Sequence, residues 1–180
     1  MAAGTDTLTA WKVDTAHSTI GFAVKHMMFT TVKGRFTDVS GAIEIDDDNP
    51  SGGRAEITVP AASIDTGDAK RDAHLRSADF FDVEKFPSLT FRSTRIEGTA
   101  QRFTLWGDLT IHGVTRPIAL DVAFEGRGKD PWGGERAGYS ASATLNRRDF
   151  GLLWNAALET GGLLVGDEVK ITLDLELVRQ

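Results

Sequence analysis

No cysteine occurs anywhere in the 180 residues. That single absence removes disulfides, thiolate nucleophiles and zinc–thiolate centres from consideration, and it leaves the compartment open. Long apolar runs are missing as well. No stretch approaches the roughly 20 apolar residues that carry a helix across a bilayer, so no stable membrane insertion is expected. Positive charge is in deficit, with 20 Lys and Arg against 26 Asp and Glu and a formal net charge of −6. Nucleic acid is therefore not an expected partner, because neutralising phosphates takes clustered cations. Residues 1–10 contain neither a basic nor an apolar segment of the kind that opens a secretory signal. The expectation is a cytoplasmic protein, periplasmic or secreted only if a leader was removed.

Motifs for bound groups are equally scarce. The acidic run Asp46-Asp47-Asp48 lacks the alternating ligands and distal glutamate of a calcium loop. The glycines between Gly126 and Gly134 do not follow phosphate-loop spacing and do not stand between a strand and a helix. The histidines His17, His26, His74 and His112 form no close-spaced ligand pair. No metal, cofactor or catalytic residue is expected. His17 adjoins Ser18, but neighbours on a strand point to opposite faces and make a poor nucleophile–base pair. His112 falls in the turn His112-Gly113-Val114-Thr115, where a backbone hydrogen bond is its expected role.

What the chain does have is alternation. Ile20, Phe22 and Val24 take turns with small or polar residues, and Phe103, Leu105, Leu109 and Ile111 do the same around Gly107. Ile118, Leu120, Val122 and Phe124 follow, and Val169, Ile171, Leu173, Leu175 and Leu177 close the chain. A period of two is the mark of a half-buried strand. Parity switches between Phe36 and Val39, which predicts a bend or bulge there. Met27-Met28-Phe29 breaks the period and predicts a bulge or a single helical turn. Residues 63–87 depart from it altogether. A turn at Asp65-Thr66-Gly67-Asp68 precedes good helix formers, Asp68 suits a helix N-cap, and Asp72 and Arg76 have the spacing of a helical ion pair. A short helical insertion is predicted around residues 68–82, ending at Phe80-Phe81.

These elements fit one all-β domain over residues 11–180 behind a flexible N-terminus of residues 1–10. Eight or so antiparallel strands remove their exposed edges best by closing into an eight-stranded barrel. A barrel of that size either fills with side chains or holds one small ligand. Small inward residues, Gly107, Ala141 and Ala143, favour an open interior, while Phe80, Phe81 and Phe91 packing the middle would favour a filled one. Both readings stand on the residues alone.

The ordered succession Trp11-x-Val13-Asp14-x-x-His17-Ser18-x-Ile20-x-Phe22-x-Val24-Lys25-His26-Met27, Gly34-x-Phe36, Ser63-Ile64-Asp65-Thr66 and Arg71-Asp72-x-His74-Leu75 resembles the YceI-like, polyisoprenoid-binding family. The resemblance continues through Asp79-Phe80-Phe81-Asp82, Phe86-Pro87, Leu109-Thr110-Ile111-His112-Gly113-Val114-Thr115, Asn146-Arg147-x-Asp149-Phe150-Gly151 and Val165-Gly166-Asp167-Glu168-Val169. It implies an extended lipocalin-like barrel enclosing a long-chain lipid, an isoprenoid quinone or prenyl pyrophosphate, for sequestration or transport, and a possible homodimer. Candidate lipid-binding residues are then Ile20, Phe22, Val24, His26, Phe29, Phe36, His74, Phe80, Phe81, Phe91, Leu105, Leu109, Leu145 and Leu173. His26 and His74 either meet near the barrel mouth and hydrogen-bond a head group or form a buried polar network that pins the helix to the barrel. Lys25, Lys70, Arg71 and Arg76 would offer it positive potential or form a solvated face. Two other readings remain: a histidine-dependent or metal-assisted enzyme, and a structural, stress-associated barrel with a filled core.

Overall fold

The computed structural model describes residues 8–47 and 49–180. The expected flexible N-terminus falls mostly outside them, but Thr9 and Ala10 already belong to the first strand, paired with Ile45 and Glu44. Each alternating run becomes a strand. They are β1 (Thr9–Val13), β2 (Thr19–His26), β3 (Thr30–Phe36), β4 (Ser40–Ile45), β5 (Arg54–Pro60) and β6 (Ile64–Asp65). After the helix α1 (Ala69–Arg76) come β7 (Ser88–Gly98), β8 (Arg102–Ile111), β9 (Val114–Lys129), β10 (Glu135–Asn146) and β11 (Val165–Arg179).

The strands form one antiparallel sheet ordered β1-β4-β5-β7-β8-β9-β10-β11-β2-β3-β6, and β1 also pairs with β11. That extra pairing closes the sheet into an eight-stranded barrel. The remaining short strands continue broken staves of the wall. β11 carries β2 along its first part and β1 at its end, so β1 and β2 are one stave interrupted by a 3-10 turn at Thr15–His17. β3 and β4 likewise flank a break at residues 37–39, where the parity switch predicts a bend. β5 and β6 are separated by the 3-10 turn Ala61–Ser63. Such interruptions let a long, strongly twisted stave curve around a closed barrel.

β6 pairs with β3, whereas β7 pairs with β5 and β8. The gap left between β6 and β7 is where α1 sits. Asp68 caps the helix by accepting from the backbone N–H groups of Lys70 and Arg71, as its residue type predicts. The helix is shorter than the predicted 68–82 because the Ser77 hydroxyl donates to the His74 carbonyl and turns the chain out. Asp72 and Arg76 do not pair with each other as their spacing predicts. Asp72, buried, accepts from both the backbone N–H and the hydroxyl of Thr66. Arg76 donates to the carbonyls of Ala62 and Ile64 and so ties the helix to the end of the short stave.

At the far end of the barrel from α1, Trp11, Val13 and Leu177 are fully buried, and the Arg127 guanidinium lies 4.9 Å from the centre of the Trp11 ring. The middle is different. Inward-facing Phe22, Val24, Leu105, Leu109, Ile171 and Leu173 are only half-buried although they point away from the outer surface. In a filled core such side chains would be enclosed by neighbours. The barrel therefore has a lumen, and the filled-core reading is set aside. Gly107 does not contribute to it as expected: a Cβ there would lie 2.3 Å from the Phe91 ring, which occupies that space. Ala141 does line the lumen.

Candidate functional site: an apolar tunnel with a polar mouth

The lumen encloses about 860 Å³ and runs from the α1 end to the loops at the opposite end. This lies within the ~300–1,000 Å³ typical of small-molecule sites. Its walls come from every stave, because alternation sends each second residue inward. Every candidate lipid contact lines it except Phe29: Ile20, Phe22, Val24, His26, Phe36, His74, Phe80, Phe81, Phe91, Leu105, Leu109, Leu145 and Leu173. Phe29 is 74% exposed. The residues before it, Met27 and Met28, adopt left-handed φ values of 51° and 70° and form a hairpin turn, in place of the predicted bulge or helical turn. The inward phase of β2 therefore ends at His26.

The charged groups of the lining gather at the two ends and differ in balance: carboxylates paired with Arg54 and Arg127 at one end, cations without a lining carboxylate at the other. The carboxylates in the lining, Glu44, Asp46 and Asp47, all lie opposite α1. There Asp47 accepts two hydrogen bonds from Arg127, which hold its carboxyl below the ordinary carboxylate range. At the α1 end the lining offers Lys25, His26, Lys70, Arg71, His74 and Arg147 and no carboxylate. Arg76, expected with this group, is turned to the backbone of the short stave instead. Arg71 is held by the hydroxyl and carbonyl of Thr66 at 2.7 and 2.9 Å. Tyr139 also lines the lumen, and desolvation pushes its phenol pKa upward.

His74 is fixed by a 2.9 Å hydrogen bond to Asp79 and stands edge-on to Phe80 and Trp154, at 5.2 and 4.6 Å between ring centres. Phe80 is buried beneath Trp154, and Phe81 meets Phe36 edge-on at 5.9 Å. The aromatic pair that ends the helical insertion thus faces the lumen, as expected. His26 lines the same mouth, and no contact joins it to His74 among the described residues.

Sequence reasoning missed Trp154 and understated Arg147. Arg147, expected only to tie down the turn after β10, is buried and donates to the carbonyls of Leu152, Trp154 and Gly166 at 2.6, 2.9 and 2.9 Å. It thereby laces the irregular connection 152–164 to the barrel rim. Burial lowers its pKa, with Asp167 3.6 Å away as the opposing influence. The one signal in the sequence is the Asn146-Arg147-Arg148-Asp149-Phe150-Gly151 turn itself.

Outside the lumen, Asp14, His17 and Glu176 bring three ligand-type atoms within 4.8 Å of one another. A cation already occupies that position, since Arg136 donates to both Asp14 and Glu176. The cluster is an ion network joining β1, β10 and β11. His17 bonds Asp14, while Ser18 exchanges hydrogen bonds with the Glu176 backbone, so the two adjacent side chains do not pair. His112, at a left-handed φ of 53°, packs edge-on against Phe86 at 4.8 Å, in place of the expected backbone hydrogen bond.

Hydrogen bonds from His17 and then Arg136 lower the Asp14 pKa from its ordinary 3.8 to about 2. A depressed carboxyl stabilises the fold above its unfolded pKa, and that contribution is lost as pH falls through the folded value. The melting temperature should therefore fall between pH 3.8 and about 2, and Asp14→Asn should flatten that limb in a thermal titration. A limb of unchanged slope in the variant would assign it to other carboxylates.

A model of the YceI-like domain matches residues 11–177. The UPF0312 protein of Pseudomonas aeruginosa strain LESB58 is 40% identical over 91% of this chain and 83% of its own length. Protein YceI of Salmonella newport is 37% identical over the same shares of the two chains. Among solved structures, Burkholderia cenocepacia BcnA superposes with a TM-score of 0.80 at 25% identity, covering 91% of this chain and 98% of that one. A polyisoprenoid-binding domain from Saccharophagus degradans, implicated in plant cell wall breakdown, gives 0.70 at 16% identity over 96% and 99%, a likeness of fold alone. With the family model spanning nearly the whole barrel and a relative of this identity alongside it, the chain belongs to the YceI-like family.

Proposed function

We propose that this protein binds one long-chain amphiphile, a polyisoprenoid, along the tunnel for sequestration or transport, and that it acts without catalysis. The observation that carries this reading is the ring of half-buried Phe, Leu, Ile and Val side chains around an 860 Å³ lumen. Such surface gains roughly 0.8 kcal/mol for each CH₂ it removes from water. The Saccharophagus neighbour, described as polyisoprenoid-binding, supports the ligand class by analogy of fold. Lys25, Lys70 and Arg71 at the α1 mouth suit a pyrophosphate or another polar head, with the tail running between Phe22 and Leu105 toward the opposite end. The histidine-dependent enzyme would need His26 and His74 to act on one atom, and no contact joins the two among the described residues.

Native mass spectrometry of freshly purified protein, followed by solvent extraction, tests this. The expected result is a co-purifying lipid of isoprenoid mass, or uptake of an added isoprenoid quinone or prenyl pyrophosphate at one per chain. Protein that emerges ligand-free and takes up neither class would overturn the proposal.

A further inference from the structure

Few large apolar side chains are exposed among the described residues, and most of them lie together. Met27, Met28 and Phe29 form the β2–β3 hairpin tip, at 39%, 64% and 74% exposure, and Leu153 and Leu163, at 54% and 46%, belong to the connection 152–164 that meets it. The hairpin and the 152–164 connection are one surface. The Met27 backbone N–H donates to the Leu164 carbonyl at 2.8 Å, and the Met28 thioether lies directly over Gly162. This surface rims the tunnel at the α1 end, since His26 and Leu164 on either side of it both line the lumen.

The hairpin backbone adds an independent sign. Consecutive left-handed residues in a tight hairpin are ordinarily Asn-Gly, because a Cβ crowds the following carbonyl there unless, as in Asn, a short polar side chain compensates by local hydrogen bonding. Here both are methionine, and the strain holds long apolar side chains out in water. The contact of Met28 with Gly162 leaves most of its side chain exposed, and Phe29 is more exposed still. Exposed apolar residues on a strained turn mark a contact that the isolated chain does not make.

We propose that this rim is a membrane-docking surface, which sets the α1 mouth of the tunnel against an anionic lipid bilayer. Charge selects the bilayer over a second copy of the chain. Lys25, Lys70 and Arg71 surround the same mouth, and the carboxylates of the lining are at the other end. A two-fold contact would bring these cations against their own symmetry mates, because such an interface places one patch on itself. Anionic head groups complement them while the acyl boundary receives Met28 and Phe29, the combination by which peripheral proteins hold to membranes. Neither Met28 nor Phe29 lines the lumen, so the surface can be removed without touching the ligand site.

Vesicle flotation tests the proposal, using phosphatidylcholine alone and phosphatidylcholine mixed with phosphatidylglycerol. The wild-type chain should float with the anionic vesicles, less so as salt is raised, and stay behind with the neutral ones. The double variant Met28→Asn with Phe29→Ser should lose binding at least about tenfold, given the apolar area removed. Its melting temperature should be unchanged or higher, since Asn tolerates a left-handed backbone. Trp132→Ser, which removes the 86%-exposed indole in the loop 130–134 at the opposite end, should float as the wild type does. Wild-type protein that ignores anionic vesicles, a double variant that still floats, or equal loss in Trp132→Ser would each overturn the proposal. Sedimentation velocity without lipid supplies the remaining arm: a wild-type dimer that the double variant dissolves would assign the rim to a second copy instead. Because lipid occupancy of the tunnel is measured separately, failure here leaves the binding reading standing.

Discussion

Arg147→Ala is expected to lower stability by about 3–5 kcal/mol, the range seen when one partner of a buried charged network is removed. In a domain of this size each kcal/mol shifts the melting temperature by roughly 2–4 °C. The reason lies in what the guanidinium holds. Its side chain is 5% exposed, and its donors reach the carbonyls of Leu152, Trp154, Gly166 and, at 3.4 Å, Val165. Alanine removes this donor from the carbonyls of Leu152, Trp154 and Gly166 and leaves a cavity where the guanidinium was, while Val165 keeps only Asn155. An ammonium cannot span them either, so Arg147→Lys should recover little, since the rigid planar fork is the feature used. The damage should be local first. Residues 152–164 lose their tie to the rim, and Trp154 leaves its place 4.6 Å from His74. Limited proteolysis should cut within this connection, and tryptophan emission should shift to the red before global unfolding. A variant that melts with the wild type and resists protease equally would show that the connection is held by its other contacts, such as those of Asn155 to Val165.

Much of this barrel was legible because each stave separates two environments, a lumen and a solvent. Ile118 to Phe124 on β9 and Val169 to Leu177 on β11 keep strict alternation for that reason, and their register follows. The helix start was legible because capping is local chemistry, complete within Asp68, Lys70 and Arg71. What was not legible depends on residues brought from afar. Asp72 and Arg76 have the spacing of an ion pair, yet each is claimed by backbone groups outside the helix, and a charged side chain gains more from several fixed dipoles than from one mobile partner. Gly107 and Ala141 look alike in sequence as small inward residues. One is covered by the Phe91 ring and the other opens on the tunnel, a difference set by the neighbouring stave. Phe29 follows the apolar composition of the lining but sits beyond a turn whose left-handed residues, two methionines, carry no turn signature. Whether the interior is open or filled is therefore the property least visible in the residue pattern, although it decides between a binding protein and a plain barrel.

Ala141→Phe addresses that property directly. Ala141 lies in the middle of β10, paired with Val122 on β9 and Leu173 on β11, and its side chain enters the lumen. If the tunnel is open in solution, the new ring extends into it without displacing a neighbour. It should gain on the order of 1–2 kcal/mol from burial against the opposite wall, less than a fully enclosed ring would. If instead the interior is filled in solution, the same ring overpacks it and costs about 1–3 kcal/mol. The sign of the stability change thus distinguishes the two interiors without any ligand being known. Binding provides the second readout. A ring across the middle of the tunnel leaves the α1 mouth intact but blocks passage of a long tail, so lipid retained through purification should fall by at least about tenfold, the loss of two or so buried CH₂ groups. A shorter amphiphile with the same head should lose less. Stabilisation together with undiminished retention of the long lipid would place its tail outside the tunnel, and the proposed mode of binding would fail with it.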